Sequence, residues 1–505
     1  MLNQKSDRFH TGVRRLRVLL FVTLAAMSIF LAGCRGVGTD PAPNQQGDIT
    51  KVNHIIILAQ ENRGFDHYFG ALREYWAANG YPDRSFDGLA QFNPSSGTAP
   101  LQGPAPTNPA CDPAFPFPGN DCKVTPNSST VESFHMISMC EENPSPSWNE
   151  SHLDWNLNNP LSATPTLDGF VWTAAHDARA LGFNDVDGQR AMSYYDGTDL
   201  PYYYFLASNF ATSDRWFAPT MSRTQPNRMY MLAGTSAGHA YPPPPDSAPL
   251  ATPTIFDELQ AHGISWKIYV TDLTHAPVPV QDSALNFFAT AEKYPGNIVG
   301  VDQFLLDVKN GTLPAVAYIE PGYNSGLDEH PGVDENVPGA NIQMGAQYVS
   351  SLISALMQSV SWKDSVFILT FDEGGGFYDH VPPQPAVSPD GIPPSDLLPG
   401  PPPNGPDVCV GASGPTCDFV YTGYRVPLVV VSPFARKNFV SHTVADYTAW
   451  LKFVETRFKL PPLTRRDAAQ MDMTEFFDFV NVPWQTPPPV PAQPTNGPCY
   501  LNQLP

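Results

Sequence analysis

The sequence predicts an α/β fold in which a mainly parallel central sheet is covered by helices on both faces. Three observations predict it. Short apolar runs without polar alternation recur along the chain, as strands buried on both faces require. Segments between the later runs carry apolar residues at helical spacing. A chain of 505 residues with 42% hydrophobic and 12% aromatic content supplies a core for one large domain or two ordinary ones.

The first 33 residues stand apart from that fold. Arg14, Arg15 and Arg17 precede an apolar run from Val18 to Phe30, which ends in Leu31-Ala32-Gly33-Cys34. A basic stretch, a short apolar core and small residues read as a secretory signal. The run is too short for a comfortable membrane span. Its last four residues resemble a bacterial lipobox, which implies cleavage before Cys34 and lipidation of that thiol. The expectation is an exported bacterial lipoprotein, anchored at a membrane and facing the periplasm or the cell exterior. Residues 34–49 then read as a flexible tether.

The first strand is expected in Val52-Asn53-His54-Ile55-Ile56-Ile57-Leu58, and further strands at Ile264–Val270, Leu313–Ile319, Ser365–Phe371 and Val426–Val431. Residues 343–359 place Met344, Tyr348, Leu352, Leu356 and Val360 near one helical face. Residues 443–458 do the same with Val444, Tyr447, Trp450, Leu451, Val454 and Phe458, and Thr443 suits an N-cap. The 56 prolines concentrate in stiff loops, at 95–128, 241–253 and 381–408. Residues 50–483 read as one domain with loop insertions, followed by a Pro-rich tail over 484–505.

Charge narrows the partners. The chain carries 49 acidic against 28 basic residues. Loss of residues 1–33, with Lys5, Arg8, Arg14, Arg15, Arg17 and Asp7, makes the balance more acidic. Such a surface repels nucleic acid and argues against tight binding to anionic lipid. Beyond Cys34, six cysteines remain, an even number that suggests disulfides in an exported protein. By proximity, Cys111 with Cys122 and Cys409 with Cys417 would each close a short loop. Cys140 with Cys499 would then tie down the tail.

Two of the expected strands run straight into acids. The first leads into Glu61-Asn62-Arg63-Gly64-Phe65-Asp66-His67-Tyr68-Phe69-Gly70, and Ser365–Phe371 leads into Asp372-Glu373-Gly374-Gly375-Gly376-Phe377-Tyr378-Asp379-His380. In open parallel sheets ligands bind at the carboxyl ends of strands. Glu61, Asp372 and Glu373 would therefore converge there. Adjacent like charges are unfavourable unless a cation neutralises them. Hard oxygen ligands suit Mg, Ca or Mn, and Zn also accepts carboxylates. A third polar segment is Met221-Ser222-Arg223-Thr224-Gln225-Pro226-Asn227-Arg228. A bare threonine is a poor nucleophile, and Thr224 needs a metal or a base to act as one. Gly234-Thr235-Ser236-Ala237-Gly238 matches the elbow of serine hydrolases. That elbow needs a strand before it, which Met229–Ala233 could supply, and a helix after it. The glycine, histidine and four prolines that follow forbid the helix. A non-catalytic ligand-binding lipoprotein would be expected to lack a metal ligand, and none of the expected ligand types is missing.

Five segments occur in a telling order: Glu61–Gly70, Thr224-Gln-Pro-Asn-Arg228, Asp328-Glu329-His330-Pro331, Asp372–His380, and Arg425–Pro433 with the stretch to Leu460. Together they resemble the bacterial phosphoesterase family of phospholipases C and the related respiratory-burst-inhibiting acid phosphatases, over residues 50–480. The resemblance implies an alkaline-phosphatase-like three-layer α/β/α core and metal-dependent hydrolysis of phosphoric esters. It implies one divalent ion held by Glu61, Asn62, Thr224, Asp372 and Glu373, with Thr224 as the nucleophile that forms a phosphothreonine. Asn62, His152 and His330 would bind phosphate, His152 and His330 would also serve catalysis, and His380 is a secondary substrate-binding candidate. The substrate would be a phospholipid diester or, as the alternative, a phosphomonoester. Two departures stand out. Gly64 replaces a serine usual in the family, and Pro146 stands where many phospholipases carry histidine before Ser147-Trp148. The second weakens the case for choline-lipid specificity.

Overall fold

The computed structural model describes residues 48–244, 247–273, 284–332, 341–399, 406–414 and 416–504. The signal, Cys34 and nearly all of the tether lie outside them.

Eight strands form the central sheet: β1 His54–Gln60, β2 Ala211–Ser213, β3 Trp266–Val270, β4 Ile298–Gly300, β5 Val316–Glu320, β6 Ser365–Phe371, β7 Leu428–Val431 and β8 Phe439–Ser441. Their spatial order is β8-β2-β7-β6-β1-β5-β3-β4. The pairs from β6 through β1, β5 and β3 to β4 are parallel. β7 runs antiparallel to both of its neighbours, so it alone is reversed. The central strands β1, β5 and β6 are buried almost throughout, because helices cover both faces.

Those helices form two groups. In one, α3 Pro201–Asn209 and α6 Val301–Asn310 pack on α7 Ile342–Met357. In the other, α4 Thr224–Ala233 packs against α5 Ile255–Ala261 and α8 Ala449–Phe458. The Trp450 indole N–H donates to the Met231 carbonyl across the α4–α8 contact at 2.9 Å. Two further helices, α1 Trp148–Trp155 and α2 Phe170–Leu181, pack on each other.

The five expected strands are all present, each shifted by two or three residues at most. The helices are shorter than the apolar pattern suggests. Thr443 is not a cap: Ala445–Asp446 first pairs as a short strand, and Thr448 takes the cap position of α8. Val444, Met344 and Val360 are exposed, so the expected faces hold only in their middle turns. The three-residue strands β2, β4 and β8 are too short to leave a periodic signal.

Disulfides join Cys111 to Cys122, Cys409 to Cys417 and Cys140 to Cys499. The last holds the tail on the body, where Gln493 also donates to the Asp199 carbonyl at 3.0 Å and the Trp484 carbonyl accepts from the Trp362 indole at 3.0 Å. Among the described residues no helix is long and apolar enough to cross a membrane. In the chain-entropy picture a cross-link stabilises more as its loop lengthens. The Cys140–Cys499 bridge spans 359 residues, against 11 and 8 for the others. Replacing Cys140 and Cys499 with serine is expected to lower unfolding free energy by about 2–5 kcal/mol, and replacing either short-loop pair by less. Urea unfolding of the three double variants reads that order.

Candidate functional site

The site starts from strand register. In the parallel β1–β6 pair, Gln60 stands opposite Phe371, so Glu61 and Asp372 leave the sheet side by side. The Asp372 amide donates to the Gln60 carbonyl at 3.0 Å. The Asp372 Oδ1 atom accepts from the amides of Asn62 at 2.9 Å and Glu373 at 2.8 Å. Asn62 adopts a left-handed backbone with φ of 53°, which turns its side chain back over the strand end. Gly375, at φ 72°, passes so close that a Cβ there would lie 2.1 Å from the Asn62 carbonyl oxygen. Its amide donates to Glu373 Oε2 at 2.5 Å.

Thr224 is the first residue of α4. The rest of its motif explains how it is held. The Asn227 amide group donates to the carbonyls of Thr220, Ser222 and Arg223, and its oxygen accepts from the Thr220 amide. The loop into the helix is thereby stapled. Pro226 lies in the first turn, where a missing N–H costs nothing. One turn beyond Thr224, Arg228 donates to Glu61 Oε1 through Nε at 2.9 Å and Nη2 at 2.5 Å. The other oxygen of Glu61 accepts from the Thr224 hydroxyl at 3.1 Å, and Asn62 Oδ1 stands 3.1 Å from that hydroxyl as well. Thr224, Glu61, Asn62, Asp372 and Glu373 are thus brought together from two strand ends and one helix start.

Their electrostatics are unbalanced. Arg228 is also 3.4 Å from Asp372 Oδ2 and 3.6 Å from Glu320, so one guanidinium is shared among three buried carboxyl groups, while buried Glu373 has no cation within ion-pair distance among the described residues. Burial raises Glu61, Asp372 and Glu373 above the usual carboxylate range. The Glu61 neighbour pushes Asp372 further, up to about 7, and the Asp372 neighbour pushes Glu373 further still. Asp372 Oδ2 and Glu373 Oε1 are buried and accept no hydrogen bond. A small cavity beside Glu373 is lined by Ser222, Thr220, Gly376 and Tyr424. Orphaned anionic oxygens, an amide oxygen and a hydroxyl form the donor set of a hard divalent cation, and such an ion would lower the carboxyl pKa values that burial raises. The residues fit one.

His330 joins the group across Asn62, whose Nδ2 donates to His330 Nε2 at 3.1 Å. The other ring nitrogen, Nδ1, lies 2.6 Å from the Pro331 carbonyl and must carry the proton, because a carbonyl only accepts. Nε2 is therefore bare in the neutral ring, and burial favours that neutral form. The preceding residue, Glu329, has φ of 70° and is fully buried. Its carboxyl group accepts from the hydroxyls of Tyr68 and Tyr203 and from Gln60, and its carbonyl accepts from Arg63 at 2.8 Å.

Two expected site histidines sit elsewhere. His152, on α1, is fully buried with Nδ1 at 2.6 Å from the Trp148 carbonyl and Nε2 at 2.6 Å from the Thr416 carbonyl. The loop closed by Cys409–Cys417 covers its outer nitrogen, so no edge of the ring is open to phosphate. His380 stands in an ion-pair group instead. Its Nδ1 is 2.6 Å from Asp66 and its Nε2 is 3.2 Å from Asp87, while buried Arg425 binds both Asp66 and Asp379. Burial would raise the Asp66 carboxyl, but His380 and Arg425 outweigh it and hold the group below its usual range. Asp379 remains raised, by burial first. Another acid–histidine group, His135 with Asp196 and Asp199, is half-exposed. The Gly-x-Ser-x-Gly match follows helix α4 rather than a strand, and Ser236 is fully buried. No elbow forms.

Sequence reasoning missed Arg228 and Asn227 as parts of the site. The four-residue spacing of Thr224 and Arg228 was the available signal, since it puts both on one helical face.

The chain matches the model of the phosphoesterase family over residues 52–461. It is 30% identical to phospholipase C B of Mycobacterium tuberculosis, over 96% of this chain and 87% of that protein. It is 28% identical to non-specific phospholipase C4 of Arabidopsis thaliana, over 83% and 70%. It is also 28% identical to the hemolytic phospholipase C of Pseudomonas aeruginosa, over 86% and 57%. Among solved structures, murine ectonucleotide pyrophosphatase/phosphodiesterase 5 aligns at 12% identity and a TM-score of 0.33, over 55% of this chain and 94% of that one. A protein in the alkaline phosphatase superfamily from Vibrio parahaemolyticus aligns at 13% identity and a TM-score of 0.32, over 54% and 64%.

Two outcomes are expected from this geometry. Gly375→Ala places a Cβ against the Asn62 backbone at a left-handed position, and is expected to destabilise the fold by about 1–3 kcal/mol, read by urea unfolding. His380 concerns pH. Asp66 and Asp87 overcome burial and raise its pKa from 6.5 to about 9. A raised folded-state pKa contributes stability that is whole below 6.5 and lost as pH rises through about 9. The unfolding free energy of wild type minus that of His380→Asn is expected to shrink by roughly 2–3 kcal/mol between pH 6 and pH 10.

Proposed function

The chain belongs to the phosphoesterase family, and from that premise we propose that it hydrolyses the phosphodiester of phospholipids through a covalent phosphothreonine on Thr224. The observation that carries this reading is the Thr224 hydroxyl, placed 3.1 Å from both Glu61 and Asn62 beside two orphaned carboxylate oxygens. The relatives named as phospholipases C support the diester over the monoester alternative.

Glu61, Asn62, Asp372, Glu373 and Thr224 would hold one divalent ion, of Ca, Mg, Mn or Zn. Bound there, such an ion would favour the alkoxide form of the threonine and draw charge from a phosphate oxygen. The remaining steps belong to the chain. Thr224 Oγ1 attacks phosphorus in line. The second N–H of Asn62 Nδ2 donates to an equatorial oxygen as charge spreads there. His330 takes the Thr224 hydroxyl proton at its bare Nε2 as the Oγ1–phosphorus bond forms, and returns it to the alkoxide oxygen that leaves as the ester P–O bond breaks. In the second half, the neutral ring takes a proton from the water that cleaves the phosphothreonine and returns it to Thr224 Oγ1 as that oxygen leaves phosphorus. His152 has no part in this cycle, because backbone carbonyls occupy both its nitrogens.

We further propose that residues 1–33 are removed on export and that lipidated Cys34 anchors the enzyme at a membrane. Three disulfides support an oxidising compartment.

Hydrolysis of p-nitrophenyl phosphorylcholine, a diester, and p-nitrophenyl phosphate, a monoester, tests the reading. Chelator is expected to abolish the faster of the two reactions and added divalent metal to restore it. Thr224→Ala is expected to lower kcat/KM at least about 10³-fold. Equal rates for Thr224→Ala and wild type would remove Thr224 as nucleophile. A faster monoester reaction would give the enzyme to the phosphatase branch.

A further inference from the structure

Arg223 is an exposed arginine whose guanidinium makes no hydrogen bond or ion pair among the described residues. It immediately precedes Thr224 and occupies the N-cap of the ten-residue helix α4, an end that no side chain caps. Every other arginine around the site is spoken for. Arg228 is tied to Glu61, Arg63 to Glu141 and the Glu329 carbonyl, and Arg425 to Asp66 and Asp379. Its charge reaches the centre of the site: burial dominates both Glu373 and His330, and Arg223 acts on each as a lesser influence. Asp177 and Tyr241 also lie within its field, yet neither contacts it. The Asn227 staple fixes the Arg223 carbonyl and leaves the side chain free. A long cation held by its backbone beside a nucleophile, with no partner among the described residues, is placed to receive an anion that arrives with the substrate.

We propose that the Arg223 guanidinium binds the non-bridging oxygens of the phosphate that Thr224 attacks, and that it favours dianionic monoesters relative to monoanionic diesters. The proposal rests on the reading of Thr224 as nucleophile. A planar fork of N–H donors matches two phosphate oxygens at once. A monoester offers a second negative charge to the same fork and draws more from it. Removing the fork therefore costs the monoester more and leaves the site more selective for diesters.

The test compares wild type, Arg223→Ala, Arg223→Lys and Thr224→Ala on p-nitrophenyl phosphate and bis(p-nitrophenyl) phosphate, with inorganic phosphate as inhibitor. Hydrogen bonds to charged groups are worth about 1.5–3 kcal/mol, or roughly tenfold to a hundredfold. Arg223→Ala is expected to lose about that factor in kcat/KM on the monoester and less on the diester. Inhibition by inorganic phosphate should weaken in step. Arg223→Lys should fall between, because it keeps the charge without the fork. Thermal midpoints of both arginine variants should match wild type, since the exposed guanidinium makes no hydrogen bond or ion pair among the described residues. Unchanged rates and unchanged phosphate inhibition in Arg223→Ala, with Thr224→Ala inactive, overturn the proposal alone. Equal losses on the two esters overturn the assigned preference. Full activity in Thr224→Ala overturns the reading of the site and this proposal with it.

Discussion

The structure depends on burying three carboxyl groups around a single guanidinium. Glu61, Asp372 and Glu373 are all almost fully buried, and among the described residues Arg228 is the one cationic side chain that pairs with Glu61 and Asp372, while none pairs with Glu373. Desolvation of charge at that density is costly. The chain pays for it with backbone: amides of Asn62, Glu373 and Gly375 point at the acids, and left-handed turns at Asn62 and Gly375 make those amides available. Two oxygens remain without a hydrogen bond, Asp372 Oδ2 and Glu373 Oε1. A site in that condition accepts either protons or a cation.

A second acid group in the same fold shows what a balanced arrangement looks like. Asp66, Asp87 and Asp379 face Arg425, His380 and Arg215. There the opposing charges bring Asp66 and Asp87 below their usual range despite burial. The group braces the turn after β1 against the loop after β6 and the chain before β7. The two groups draw acids from the same two segments, Glu61 and Asp66 from one and Asp372, Glu373 and Asp379 from the other. Charge balance distinguishes the brace from the reactive centre.

That distinction marks the limit of what could be read from the residues. Glu61 and Asp372 were legible because each directly follows a continuous apolar strand, and the parallel sheet then sets them side by side. Thr224 was legible only through the order of motifs, since a threonine in a polar turn carries no chemistry by itself. Its partners Asn227 and Arg228 act through a staple and a helical spacing that become visible once α4 is placed. His152 and His380 misled for one physical reason. A histidine's sequence neighbours do not reveal whether its ring nitrogens are already taken, and both pairs are, by two carbonyls in one case and two aspartates in the other. The central sheet was legible at β1, β3, β5, β6 and β7. The three-residue strands β2, β4 and β8 were not, because three residues cannot display a period.

The central claim is that the acids at residues 61, 372 and 373 are arranged for one divalent ion. Metal content after purification, followed by dialysis against chelator and calorimetric titration with Ca, Mg, Mn and Zn, tests it most directly. One ion per chain, bound by wild type and lost in Asp372→Asn with the fold retained by circular dichroism, is the result this account predicts. Wild-type protein that takes up no divalent ion, or an Asp372→Asn variant that binds as well as wild type, would contradict it.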